Sequence, residues 1–400
     1  KAITAIQSIE VVDETTLIIH YPAPYYAYLA DFCWPDVMII VSPTVFIEGD
    51  YMNFSGISGT GPYAFDHRES GQYTRFVRNE DYWGDAPYYD EIVVKYIPES
   101  TSRIQALQNG EIDMIFGSAL LSYDEYVQVT AMDGMAGQIS ESDTRVRDLV
   151  VNASRPLLTD LKVRQAIAYA IDKESLSENL TYGYEKAAEL PFTEDSPYMD
   201  IVLEQTYSYD QEQANLLLDE AGWVVNDSTG IREKDGQSLS LVLTLDSAYG
   251  SFDHSVATVI KDQLSKVGIE VSINGMEKMD WMNGYMAGEF DLTLWPGNYA
   301  FANPNCWFNP MSSMTPQTPA LMGLSDSQEF LDAIAETTVT DDEERLTELF
   351  TYLYNYDIGN VIDIPLNYYK DVIVYNSEKI AGYEFDSAPC FFDVARLTPQ

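Results

Sequence analysis

Residues 59–117 decide the fold of this chain: GTGPYAFDHRESGQYTRFVRNEDYWGDAPYYDEIVVKYIPESTSRIQALQNGEIDMIFG. Within them, the β-branched run 92–97 predicts a strand. Ser100 stands where a helix N-cap belongs, and Gly110 stands where the residue after a helix often turns left-handed. The apolar residues 112–116 then predict a second strand. The order strand, helix, strand favours a layered α/β fold.

The same alternation of helices and strands returns in the second half of the chain. Asp160 and Asp210 are the predicted N-caps of two further helices, and the second of these ends at Gly222. A third helix ends at Gly268 and leads into a predicted strand at 269–273. We therefore expect two lobes of related α/β construction.

Composition limits the size and the partners of the protein. A chain of 400 residues exceeds one ordinary core, so two domains are expected. It carries 64 Asp and Glu against 22 Lys and Arg, a formal net charge of −42. This field repels phosphate backbones, which excludes nucleic acid as a partner. No apolar run approaches the roughly 18 residues that cross a bilayer, so no membrane span is expected in this chain.

Five motifs, in this order, resemble those of one receptor family. They are FVRNEDYWG at 76–84, IPESTSR at 97–103 with GEID at 110–113, DLKVRQAIAYAIDK at 160–173, YDQEQANLLLDEAGW at 209–223 and QLSKVGIEV at 263–271. They are similar to the family patterns RNxDYWG, IPDxTxR…GEID, VRQAIxYAID, YDxxxAxxLLxxAGW and QLxxVGIxV. On these motifs the chain resembles the extracellular solute-binding proteins of family 5, the peptide- and nickel-binding receptors of ABC transporters.

The resemblance implies a fold and a division into lobes. The fold is the two-lobed, periplasmic-binding-protein-like α/β architecture of the large peptide-receptor class. Residues 1–152 are expected to form lobe I, residues 153–362 lobe II, and residues 363–400 the return to lobe I. Family members have a further N-terminal part of lobe I, which we expect to be lacking here.

The resemblance also implies a function. The protein is expected to be the substrate-binding receptor of an ABC importer, which captures an oligopeptide or peptide-like solute between its lobes and delivers it to the permease. The alternative within the family is a nickel or other metal chelate, bound through its organic shell. A monomer outside the cytoplasmic membrane is expected, either periplasmic or a cell-surface lipoprotein of a Gram-positive bacterium. The permease transmembrane subunits are the expected protein partner, and neither a cofactor nor catalysis is expected.

Family ligands are held between the lobes, and the loop after the apolar run 292–295 is the first place to look for contacts. It supplies Trp295, Asn298, Tyr299, Asn303 and Asn305. Peptide-binding members often carry an acid in this loop that pairs with the α-amine of the ligand. An amide cannot pair with an ammonium as a carboxylate does, which argues against a free peptide amine here. Alternatively, Trp295 is a core residue at a strand end.

Further candidates come from two other segments and from the first lobe. Arg145 and Arg147 share one face of a predicted strand and can clamp a ligand carboxylate; alternatively, they are surface arginines that pair with nearby acids. Tyr368 and Tyr369 point to opposite faces of a strand, so at most one of them faces the ligand. Trp34, in the aromatic loop of lobe I, is the last candidate.

Metal binding and catalysis find little support in the residue pattern. The three histidines, His20, His67 and His254, show no metal-ligand spacing, and neither do the three cysteines. No nucleophile elbow or phosphate loop is present. We expect neither a metal site nor catalytic residues. A secreted hydrolase with a carboxylate active site is the third hypothesis, because 64 carboxyl groups supply many acid–base pairs.

Overall fold

The computed structural model describes residues 6–26, 28, 42–47, 50–117, 120–143, 145–193, 196–247, 250–297, 303–386 and 391–400. The chain divides into two compact units. Unit 1 consists of Lys1–Phe32 and Asp143–Lys370, and unit 2 consists of Cys33–Ser142 and Asp371–Gln400. The boundaries of unit 1 at Asp143 and Lys370 differ from the lobe boundaries expected at 152 and 363. The segments 146–151 and 363–368 lie between these two sets of positions, and they pair with each other as strands inside unit 1.

The strands and helices follow in chain order. The strands are β1 Ser8–Val11, β2 Leu17–His20, β3 Phe46–Ile47, β4 Asp50–Phe54, β5 Tyr63–Glu69, β6 Tyr73–Arg78, β7 Glu91–Lys95, β8 Met114–Phe116, β9 Met135–Ile139, β10 Val146–Val151, β11 Val224–Val225, β12 Arg232–Lys234, β13 Gln237–Ser238, β14 Ser240–Asp246, β15 Glu270–Met276, β16 Leu292–Trp295, β17 Asp363–Tyr368, β18 Val372–Asn376, β19 Ile380–Tyr383 and β20 Leu397–Pro399. The α-helices are α1 Ser100–Gln108, α2 Tyr123–Thr130, α3 Leu161–Ala170, α4 Lys173–Thr181, α5 Gln211–Glu220, α6 Gly250–Ser265, α7 Lys278–Met286, α8 Asn305–Met311, α9 Gln317–Leu321, α10 Ser327–Thr337 and α11 Glu343–Asn360. Short 3-10 helices occur at Pro43–Val45, Pro156–Leu158 and Val394–Arg396.

Unit 1 is built on a five-stranded sheet with the order β15-β14-β16-β10-β17. Strand β14 is parallel to β15 and β16, whereas β10 is antiparallel to both β16 and β17. Helix α6 connects β14 to β15, and helix α7 connects β15 to β16, as parallel pairing requires. Because β17 comes from the far end of the chain, the sheet joins segments that are distant in sequence.

The two faces of this sheet carry two separate cores. On β10, Leu149 and Val151 belong to one core, while Val146 and Val150 belong to the other. This split follows from the alternation of side chains along a strand. The first core is completed by α3, α5 and α6, and the second by the helices from α7 to α11. Both faces are covered, as in α/β proteins.

Local signals account for most helix ends. The carboxylate of Asp160 accepts a hydrogen bond from the backbone N of Lys162 at 3.0 Å, and Asp210 caps its helix in the same way. Gly110, with φ of 71°, follows the end of α1, as predicted. The predicted N-cap Ser100 is wrong by one residue: the N-cap is Glu99, and the Ser100 hydroxyl donates to the Glu125 carboxylate instead.

Unit 2 contains small antiparallel sheets together with α1 and α2. One has the order β5-β6-β7, and another has the order β8-β18-β9. Strand β18 belongs to the C-terminal return of the chain, so this return completes the second of these sheets. Among the described residues, no helix of either unit combines the length and the apolar character that crossing a membrane requires.

Candidate ligand-binding site

Several of the predicted site residues lie at one end of the unit 1 sheet. Strand β16 ends at Trp295, which stands opposite Asp148 of β10. Strand β17 ends at Tyr368, which stands opposite Val146 of β10. This is also the carboxyl end of the parallel strands β14 and β16. In α/β sheets, ligands bind beyond the carboxyl ends of the strands.

Arg147 is held inside unit 1 by polar partners. It is 2% exposed. Its Nε donates to Asp253 Oδ1 at 3.1 Å, and its Nη1 donates to Glu185 Oε2 at 3.2 Å and to Asn367 Oδ1 at 2.9 Å. A β-bulge between Arg147 and Asp148 places Arg147 opposite Asn367. The ligand-clamp role predicted for Arg147 would require it to leave these partners.

Two aromatic rings enclose the same guanidinium group. Its central carbon lies 4.0 Å from the ring centroid of Tyr369 and 4.6 Å from that of Phe252. Burial by itself lowers the pKa of Arg147, but Tyr369, Glu185 and Asp253 together raise it above the ordinary value. Burial also raises the pKa of Asp253, against the effect of the Arg147 charge. The group is therefore a permanent cation whose charge is matched inside the protein.

Tyr368 and Tyr369 serve opposite sides of the strand. The Tyr368 hydroxyl lies 2.9 Å from the carbonyl oxygen of Leu190 and 3.0 Å from that of Phe192, and its ring packs against the second core. The backbone N of Tyr369 donates to the carbonyl oxygen of Arg145 at 2.7 Å. Arg145, Tyr368 and Tyr369 are all half-buried. Each of them keeps some accessible surface at this end of the sheet.

Trp295 packs into an aromatic layer and keeps some accessible surface. Its ring centroid lies 5.7 Å from that of Trp281 and 5.5 Å from that of Tyr285, both on α7. The Trp281 indole N–H donates to Thr293 Oγ1 at 2.9 Å, which fixes the layer on the sheet. Trp281 and Tyr285 are buried, whereas Trp295 is half-buried. In this aromatic layer of Trp281, Tyr285 and Trp295, the Trp295 ring is therefore partly accessible.

The asparagines of the following loop differ from one another. Asn305 is 6% exposed, and its Oδ1 accepts a hydrogen bond from Thr337 Oγ1 at 2.6 Å. Asn303 is half-buried, and its Oδ1 accepts from the backbone N of Asn305 at 3.0 Å. Both amides thus organise the start of α8. The remaining candidates lie outside the described residues: Trp34, Asn298 and Tyr299.

The partners of Arg147 could not be found from the sequence. Glu185, Asp253 and Asn367 lie 38, 106 and 220 residues from it along the chain. A buried arginine requires acceptors, but no local pattern tells which of many acids and amides will supply them. The partners of Arg147 are determined by the tertiary packing of segments that are distant in sequence.

Metal ligands are not grouped in the described part of the chain. There, no three His, Cys, Asp or Glu side chains are placed to hold a metal ion. His20 lies 3.3 Å from Glu10, and His67 lies 2.8 Å from Asp66, so both are in simple surface pairs.

The fold and these motifs define an extracellular receptor class. Residues 2–319 match the family model for bacterial extracellular solute-binding proteins, family 5 Middle. The chain belongs to this family, and the resemblance of the motifs is confirmed.

Two relatives show the range of the family. The chain is 28% identical over 381 residues to the nickel-binding periplasmic protein of Escherichia coli strain K12. That match covers 93% of this chain and 71% of the E. coli protein. The chain is 27% identical over 277 residues to the oligopeptide-binding protein AppA of Bacillus subtilis strain 168. That match covers 64% of this chain and 48% of AppA.

Solved structures of the same class superpose closely. NikA from Brucella suis, in complex with Fe(III)-EDTA, matches with a TM-score of 0.91 and 29% identity, covering 100% of this chain and 80% of that chain. AppA from B. subtilis, in complex with a nonapeptide, matches with a TM-score of 0.81 and 19% identity over 100% of this chain and 79% of that chain, which shows the fold alone. The predicted two-lobed α/β fold class is confirmed.

Proposed function

We propose that this protein is the substrate-binding component of an ABC importer and that it takes up a peptide or peptide-like solute. The observation that carries the proposal is the aromatic layer of Trp281, Tyr285 and Trp295 at the carboxyl end of the sheet. Half-buried Trp295 offers a flat apolar surface for ligand side chains. Membership of the solute-binding family and the similarity to AppA support the same function.

The proposed action is binding without chemical change. Binding shifts the protein toward its solute-loaded conformation, and the permease subunits recognise that form. The protein acts as a monomer outside the cytoplasmic membrane. Asn303 and Asn305 offer no carboxylate for a peptide ammonium, which favours solutes with a blocked or internal amine.

Native mass spectrometry of the protein after incubation with a defined peptide mixture tests this function. We expect a one-to-one complex whose released peptide has its original mass. Shortened peptides would support the hydrolase hypothesis instead. No complex with any peptide would leave the peptide function without support, and the chelate would then become the first candidate.

A metal chelate is the second candidate, and the extent of similarity favours it. The match to the nickel-binding protein covers 93% of this chain, against 64% for AppA. Because the described residues group no metal ligands, the metal would arrive inside an organic shell. Half-buried Arg145, at the same end of the sheet, is the candidate contact for carboxylates of that shell.

The chelate candidate is tested by metal analysis and by a charge variant. Nickel with histidine should bind saturably, and Arg145→Gln should weaken that binding about tenfold, since a lost charge-assisted contact costs about 1.5 kcal/mol. Arg68→Gln, on exposed β5 of unit 2, is the matched control and should bind normally. Equal affinities of the two variants would remove Arg145 from the site.

A further inference from the structure

Three carboxyl groups lie together in the second core of unit 1. They belong to Asp148 of β10, Asp357 of α11 and Asp363 of β17, which are 0%, 0% and 2% exposed. Asp363 stands opposite Val150, two residues from Asp148 on the same face of β10. We call these three side chains the buried acid cluster.

The cluster lacks cations in contact with it. Among the described residues, none of its members has a basic group within the 4 Å of an ion pair. The cations that act on Asp148 are Lys173 and Arg147. Arg147 is paired with Glu185 and Asp253 on the other side of the strand, and Lys173 Nζ donates to the carbonyl oxygen of Ala188 at 2.9 Å. Three uncompensated charges at this depth would cost several kcal/mol each.

Hydrogen bonds supply only part of the missing compensation. Gln317 Nε2 donates to Asp363 Oδ1 at 2.8 Å. The Asp357 and Asp363 carboxyls are hydrogen-bonded to each other, and Trp307 and the Asp363 backbone also donate to Asp357. In the described part of the chain, neither oxygen of Asp148 accepts a hydrogen bond. An ionised carboxylate is only an acceptor, whereas a protonated one also donates. A proton between Asp357 and Asp363 therefore provides the donor that this pair lacks.

Two further buried groups point to the same cluster. The Tyr354 hydroxyl has no hydrogen-bond partner in the described part of the chain. Trp307 lies beside Asp357, and the pKa of Tyr354 is raised by its burial and by Asp357. Tyr368 faces Asp148 from β17, and burial raises its pKa too, so both phenols are neutral. Among the described residues, only Lys173 and Arg147 act on Asp148 as cations, and neither is in ion-pair contact with the cluster.

We propose that the buried acid cluster is a proton-binding site, which keeps protons in the folded protein at neutral pH. Burial raises the pKa of Asp357 to about 7. Burial and the neighbouring carboxyls raise the pKa of Asp148 and Asp363 well above the ordinary value. The property belongs to the fold of unit 1 and does not depend on the solute.

The proposal fixes the sign of the pH dependence. Between about pH 4 and pH 7, the folded cluster holds protons that the unfolded carboxyls have released. The free energy of unfolding therefore falls as the pH rises through this window. Each retained proton raises the unfolding equilibrium constant about tenfold per pH unit. Asp148 lies on β10 and Asp363 on β17, the strands next to Asp143 and Lys370, where the chain passes between the two units. We therefore expect alkaline pH to weaken the pairing of these two strands.

Infrared spectroscopy of the unmodified protein in D2O is the first test. We expect the C=O band of a protonated carboxylic acid at neutral pD, and we expect Asp357→Asn to reduce it. Asp200→Asn, an exposed carboxyl, is the matched control and should leave the band unchanged. Absence of the band from the unmodified protein would overturn the proposal, even where a variant fails to fold.

Urea unfolding between pH 4 and pH 8 is the second test. The unmodified protein and Asp200→Asn should lose stability in parallel, whereas Asp357→Asn should show a slope that is shallower by about one tenfold step per pH unit. Parallel slopes for all three proteins would overturn the proposal. A rise of the midpoint with added Ca²⁺ that disappears in Asp357→Asn would also overturn it, because a cation would then occupy the cluster.

Discussion

Lys370 Nζ lies 2.8 Å from Asp143 Oδ1, at the two positions where the chain leaves and enters unit 1. Their side chains are only 10% and 15% exposed. On the side of unit 2, the backbone N of Ser140 donates to Asp371 O at 2.8 Å, and the backbone N of Asp371 donates to Ser140 Oγ at 3.0 Å. The two connections are therefore tied to each other within each unit.

The ion pair between Asp143 and Lys370 should contribute measurably to stability. In a double-mutant cycle with Asp143→Asn and Lys370→Met, we expect a coupling energy of about 1–3 kcal/mol, because the pair is shielded from water. The exposed pair Lys162–Glu220 is the control and should give less than about 1 kcal/mol. Urea unfolding measures both cycles. Equal coupling energies in the two pairs would show that shielding from water does not strengthen the Asp143–Lys370 ion pair.

Loss of the Arg147 side chain should be severe. Arg147→Met removes the cation that pairs with the buried carboxylates of Glu185 and Asp253, which typically costs about 3–5 kcal/mol. Arg345→Met removes an arginine whose pairs with Glu336 and Glu348 are at the surface, so its cost should stay below about 1 kcal/mol. Denaturant midpoints compare the two variants. If both lose equally little, Arg147 is not held by the internal acids.

Gly297 should not tolerate a side chain. Its φ is +64°, and an added Cβ would lie 2.1 Å from the carbonyl oxygen of Val146. We expect Gly297→Ala to lower the free energy of unfolding by about 1–3 kcal/mol through backbone strain, with the clash adding to it.

In α11, Gly359 has no atom within 4 Å of its added Cβ, so Gly359→Ala should stabilise by about 0.5–1 kcal/mol. Thermal unfolding of the two variants should thus shift in opposite directions; a stable Gly297→Ala would refute the close approach.

Trp295 should matter more for ligand affinity than for folding. Its ring is the accessible member of the aromatic layer, so Trp295→Ala should weaken binding about tenfold, a loss of about 1.4 kcal/mol. Trp295→Phe keeps a flat ring and should retain most of the affinity. Trp83→Ala, in unit 2, removes a tryptophan that is 80% exposed and serves as the control. Unchanged affinity of Trp295→Ala, measured by calorimetry, would make Trp295 a packing residue only.

Short-range patterns predicted the elements of the fold well. Asp160 and Asp210 cap their helices as expected, because a cap needs only a side-chain oxygen near the next turn. Glycines at helix ends, such as Gly222 and Gly268 with φ of 85° and 81°, were equally predictable. These signals depend on interactions between residues a few positions apart, so they can be predicted from the local sequence alone.

The site depends on contacts that no local pattern encodes. Several predicted site residues share one end of the sheet, yet Arg147 is buried, and its partner Asn367 lies 220 residues away along the chain. In the same way, the pairing of β10 with β17 moves the unit boundary away from the expected positions. Burial and partner choice are decided by tertiary packing, which the sequence shows only as apolar periodicity.

The proposed function requires the folded chain to bind a solute. Thermal unfolding of the purified protein against a peptide mixture, and against nickel with histidine, tests it most directly. Binding to the native state alone stabilises by about 2.7 kcal/mol at a hundredfold excess over Kd. We predict a raised midpoint with one of these two classes and no change with free amino acids or nickel alone. A cooperative transition whose midpoint no solute of either class moves would contradict the account.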